Sequence, residues 1–110
     1  MNQNEFIKAC KLSDLVEGEG KRLIIEDVDI AVFKVNGKVF ALSNVCPHQH
    51  TRLIYDGFIE NGFVICPLHG WQFNLESGSM PTGSKGLDTF ETMIKDDEIY
   101  VKVLKNNNSW

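Results

Sequence analysis

Two short segments, Cys46-Pro47-His48 and Cys66-Pro67-Leu68-His69, constrain this chain more than any other feature. Each supplies one thiol and one imidazole, and seventeen residues lie between them. The fold must therefore bring two separate loops together to assemble a four-donor set, because no single helix carries all four residues. Tetrahedral zinc accepts such donors, but zinc sites commonly pair like with like, as C-x2-4-C and H-x3-5-H. Here each half mixes one Cys with one His, and zinc stays as the rival reading.

The pattern C-x-H, then C-x2-H, with Pro after each Cys and Gly70 after the last His, resembles the Rieske proteins. In these, two His replace two Cys on one iron of a 2Fe-2S cluster. The resemblance extends over nearly the whole chain and implies an all-β class: a Rieske-like antiparallel β-sandwich base with an inserted small cluster-binding subdomain. It implies one Rieske 2Fe-2S domain over residues 1–110, with the base at about 1–44 and 84–105, the cluster-binding part at about 45–83, and a frayed tail over 106–110. Cys46 and Cys66 are then expected on the inner iron, and His48 and His69 on the outer iron. An oxidised core with two thiolates and two neutral imidazoles carries no net charge. Adding an electron to it costs less Coulomb energy than adding one to the dianion that four thiolates give.

The chain has 110 residues, enough for one domain with a modest core, and its 43% hydrophobic and 24% charged content is that of a soluble globule. No apolar run approaches a membrane span, and Met1–Phe6 lacks a signal-like core, so a cytoplasmic protein is expected. Respiratory and photosynthetic Rieske proteins carry a membrane anchor and an extra Cys in each cluster loop. Thr51 and Leu68 stand at those Cys positions, so that disulfide cannot form. The remaining Cys10 is expected as a small buried thiol sharing a strand face with Phe6 and Leu12, not as a third cluster ligand. A net charge of −4 with no basic stripe excludes nucleic acid as a partner. Acidic residues gather at Glu17, Glu19, Glu26, Asp27 and Asp29 and at Asp96–Glu98, and read as solvated surface, with steering of a basic partner protein by one cluster as the alternative.

Strands are expected at Phe6–Leu12, Arg22–Glu26, Val28–Val35 and Lys38–Leu42, which are rich in β-branched and aromatic residues. Asn36-Gly37 and Asn61-Gly62 are hairpin signals for type I′ turns. Further strands are expected at Leu53–Tyr55, Phe58–Glu60, Phe63–Cys66, Trp71–Asn74, Leu87–Ile94 and Ile99–Leu104, with turns at Glu76–Gly78 and Asp96-Asp97. The loop Ser79–Lys85 carries Pro81, at the place where Rieske ferredoxins cover the cluster, with a plain surface loop as the alternative.

High-potential Rieske proteins carry a Ser and a Tyr two and four residues after the second ligand His. Trp71 and Phe73 occupy those positions and offer no hydroxyl, which implies a potential near the low end of the range, about −150 mV. Phe73 reads as core packing, whereas Trp71 reads either as core or as lying near the cluster surface. His50 stands where the family has Gly, so the loop is expected to differ in detail. It reads as an exposed neighbour, with competition against His48 for the iron as the alternative.

The resemblance implies a one-electron carrier like the ferredoxin components of multicomponent ring-hydroxylating dioxygenases. Such a carrier takes electrons from an NAD(P)H-dependent flavoprotein reductase and passes them to a terminal oxygenase, with no substrate turnover of its own. An oxygenase subunit would need a second iron held by two further His and a carboxylate, and only three His are present. The alternative is the small subunit of an assimilatory NAD(P)H nitrite reductase, which shares the fold but often lacks the ligands.

Overall fold

The computed structural model describes residues 6–47, 50–68, 70–83 and 86–103. His48, His69, the strand end at Leu104 and the tail 106–110 lie outside the described residues. The described chain is all-β, with nine strands: β1 (Phe6–Lys11), β2 (Gly20–Ile25), β3 (Val28–Val35), β4 (Lys38–Ser43), β5 (Phe58–Glu60), β6 (Phe63–Ile65), β7 (Gln72–Asn74), β8 (Thr89–Lys95) and β9 (Glu98–Lys102). They form a six-stranded sheet in the order β1-β9-β8-β4-β3-β2 and a three-stranded sheet β5-β6-β7, all pairs antiparallel. The small sheet is supplied entirely by chain between β4 and β8.

Four of the connections are two-residue hairpins in which both loop residues have positive φ, as type I′ turns require. Asn36-Gly37 (53° and 79°) and Asn61-Gly62 (53° and 83°) fulfil their sequence signals. Asp96-Asp97 (52° and 65°) turns as expected, and Glu26-Asp27 (54° and 68°) joins β2 to β3 in the same way without Asn or Gly. The second strand consequently ends at Ile25 rather than Glu26.

The central strand β3 is buried on both faces, since Ile30, Ala31, Val32 and Phe33 are all inaccessible. Successive side chains point to opposite faces, so Ile30 and Val32 join one core with Leu15, Val39, Ala41, Ile99 and Val101, while Ala31 and Phe33 join another. The second core holds Leu42, Ile54, Val64, Phe73, Leu75 and Leu87, and is the layer that carries the small sheet on the large one. The middle residues Ile59, Val64 and Phe73 of the three short strands lie opposite one another and all face this core.

Two expectations need correction. Leu53–Tyr55 is not a strand; the chain makes a 3-10 turn over Ile54–Asp56, with Ile54 buried. There β2 passes so closely that a Cβ on Gly20 would collide with the Tyr55 carbonyl and the Phe33 ring. Cys10 is buried as expected but shares its face with Ile7 rather than Phe6. A bulge between Lys8 and Cys10 shifts the register so that Ile7 opposes Val101 and Cys10 opposes Ile99. Cys10 belongs to the core of the large sheet, apart from the core that contains the other two Cys.

Candidate metal centre

Both candidate thiol ligands arrive by the two-residue period of a strand. From the end of β4 onward, Leu42, Asn44 and Cys46 are all buried while Ser43 and Val45 between them are partly exposed. Beyond Val64 in β6, Cys66 lies two residues further on and is buried as well. Cys46 is 2% exposed, Cys66 1%, and the two belong to one packed core with Ala31, Phe33 and Phe73. Neither is in a disulfide.

The described residues of the two loops are closed by the same pair of backbone bonds. In the first, the Cys46 amide donates to the Thr51 carbonyl at 2.8 Å and the His50 amide donates to the Cys46 carbonyl at 2.7 Å. In the second, the Cys66 amide donates to the Trp71 carbonyl at 2.8 Å and the Gly70 amide donates to the Cys66 carbonyl at 2.9 Å. His50 is thus the counterpart of Gly70, and both adopt positive φ, 59° and 73°. The sequence suggested that a His at this point would alter the loop in detail; among the described residues the closing bonds match those of the second loop, and His50 itself takes the left-handed region. His50 is exposed, as expected for a neighbour of the site.

The first loop is anchored by a polar cluster at its base. Asn44, with no exposed surface, donates from Nδ2 to Asp29 Oδ1 (3.0 Å) and to the Arg52 carbonyl (3.2 Å), and its Oδ1 accepts the Tyr55 amide (2.8 Å). Asp29 is also gripped by the Arg22 guanidinium through Nε (3.0 Å) and a terminal nitrogen (2.8 Å), and it faces Arg52 Nε at 3.4 Å. The hydrogen bond from Arg22 is the chief reason that the Asp29 carboxyl titrates below the ordinary range, helped by Asn44 and by both positive charges and opposed by desolvation. Asp29 therefore departs from the solvated-surface reading of its acidic neighbourhood, since its side chain is only 11% exposed. Nothing in the sequence around Asn44 marks it as buried; the signal is its tertiary partners.

Other site residues fall as follows. Phe73 is fully buried and packs the core, as expected. Trp71 is half-buried against that same core, and its carbonyl closes the second loop. Leu68 is exposed, and Pro81 is exposed on a turn closed by the Gly83 amide and the Met80 carbonyl. The Thr51 hydroxyl, which sequence reasoning passed over, is buried and has no hydrogen-bond partner among the described residues.

Two buried thiols outside any disulfide, on loops closed by the same pair of backbone bonds, with a buried, unpartnered hydroxyl on the residue that closes the first loop, suit a sulfur-rich inorganic centre. No helix of the described residues is long and apolar enough to cross a membrane.

Comparison with known proteins agrees with this chemistry. A family model for the Rieske 2Fe-2S domain matches residues 5–91. The ferredoxin component of the naphthalene 1,2-dioxygenase/salicylate 5-hydroxylase systems of a Ralstonia species is 30% identical over 105 residues, covering 94% of this chain and 99% of that one. The ferredoxin component of the alkene monooxygenase system of Xanthobacter autotrophicus is 32% identical over 74 residues, 67% of this chain and 61% of that one. A Mycobacterium tuberculosis structure described as an NADH-dependent nitrite reductase small subunit superposes with a TM-score of 0.87 over 94% of this chain and 98% of its own. At 21% identity that likeness concerns the fold alone.

Proposed function

This chain belongs to the Rieske 2Fe-2S domain family, and we propose that it is a one-electron carrier serving an oxygenase system of the kind its ferredoxin relatives are named for. When bound, a 2Fe-2S centre supplies reversible uptake of a single electron. The chain's own residues bind it, exclude water from it and set its charge. Cys46 and Cys66 would ligate as thiolates, and His48 and His69 as neutral imidazoles. Residues of about 45–83 act as the cluster-holding unit on a base formed by the rest.

The observation that carries this reading is the burial of Cys46 and Cys66 in one core on two loops closed by the same pair of backbone bonds. The apolar core packed around Cys46 and Cys66 favours a neutral centre, and a two-thiolate, two-imidazole set provides one. The carrier turns over no substrate. It accepts electrons from a flavoprotein reductase driven by NAD(P)H and delivers them to a terminal oxygenase, in the cytoplasm.

The ferredoxin reading stands ahead of the nitrite reductase small subunit because the relatives at 30% identity or more cited above are named ferredoxin components. The test is purification and reduction. Reduction of the isolated chain by a separate NADH-dependent reductase, followed by reoxidation by an oxygenase, supports the carrier. Isolation only as a tight complex with a large sirohaem flavoprotein rejects it.

A further inference from the structure

In the first ligand loop, the reading of the site as a 2Fe-2S centre leaves the buried hydroxyl oxygen of Thr51 without a partner among the described residues. Burying a hydroxyl without a partner is unfavourable, so a protein that keeps one there has a use for it when loaded. The backbone of Thr51 is fixed against Cys46 by the amide-to-carbonyl bond of 2.8 Å that closes the first loop. Its counterpart on the second loop is Trp71, two residues beyond the last ligand of the motif, and neither Trp71 nor Phe73 bears a hydroxyl.

We infer that Thr51 donates its hydroxyl hydrogen to a sulfur of the bound centre and so raises the reduction potential of this chain. This rests on the 2Fe-2S reading of the preceding subsection. Reduction adds negative charge to the centre, and a donor aimed at a sulfur stabilises the reduced state more than the oxidised one. Thr51 acts here as a tuning residue, with the donor supplied from the first loop rather than the second. No ligand is altered by replacing it.

The experiment compares the full chain with Thr51→Val and Thr51→Ser, each reconstituted with iron and sulfide. Valine keeps the volume and removes the hydroxyl, while serine keeps the hydroxyl. Iron and sulfide content are measured first, then the potential by spectroelectrochemical titration, and then the iron–sulfur vibrations by resonance Raman in H2O and D2O. Thr51→Val is expected to load fully, to titrate at a lower potential and to lose part of the deuterium shift, with Thr51→Ser close to the unsubstituted chain. Equal potentials in all three, or an equal fall in both variants, overturns the inference while leaving the 2Fe-2S reading intact. If Thr51→Val does not load, Thr51→Ala is read by the same criteria. Failure of the unsubstituted chain to take up iron and sulfide overturns both.

Discussion

Asn44 spends both of its amide donors and its carbonyl on three elements: Asp29 in β3, the Arg52 carbonyl after the first ligand loop, and the Tyr55 amide in the 3-10 turn. Removing it leaves buried groups unpaired as well as a void, so Asn44→Ala is expected to cost about 2–4 kcal/mol in a urea titration. The same substitution should loosen the loop bearing Cys46 more than the loop bearing Cys66. Asp29 gives the site a pH signature. Its folded carboxyl titrates below its unfolded value of about 3.9, so its contribution is complete above that value and is lost as pH falls through the lower folded value. Acid unfolding curves should therefore be shallower in Asp29→Asn below about pH 4. A variant curve parallel to the parent's would remove Asp29 from the account. His50 holds a φ of 59° that a side chain adopts at a cost. His50→Gly is expected to raise stability by about 1 kcal/mol and to leave the visible spectrum unchanged, and loss of colour would instead make His50 a ligand.

Among the elements, the two-residue hairpins show what governs legibility. Asn-Gly at 36–37 and 61–62 announces itself, because those residue types reach the left-handed region at low cost. Replacing Asp96-Asp97 by Asn-Gly should therefore stabilise the β8–β9 hairpin by about 1 kcal/mol, visible as a higher denaturation midpoint. Glu26-Asp27 makes the same turn with no such signal, held by the six paired positions that join β2 to β3. The bulge that turns Cys10 toward Ile7's face and the 3-10 turn at Ile54–Asp56 were equally hidden. Both are decided by partners distant in sequence, the first by β9 and the second by the close pass of β2 at Gly20. The donor spacing, by contrast, was fully visible, since it depends on residue types alone. Asn44 and Thr51 were not, because burial converts an ordinary polar side chain into a committed one only after the chain has closed.

For the molecule as a whole, the sharing of β3 between two cores joins the function to the fold: its Ile30 and Val32 hold the large sheet, and its Ala31 and Phe33 hold the layer containing Cys46 and Cys66. With no hydroxyl at Trp71 or Phe73 and the single one of Thr51 in their place, the potential is expected in the lower part of the Rieske range, which begins at about −150 mV, and a value well above zero would refute that tuning. The central claim is that two thiolates and two imidazoles hold the centre, and the electron paramagnetic resonance spectrum of the dithionite-reduced protein tests it most directly. A rhombic signal is expected, with an average g below that of all-thiolate 2Fe-2S proteins. A signal with the all-thiolate average, or a colourless protein containing one zinc, would contradict it.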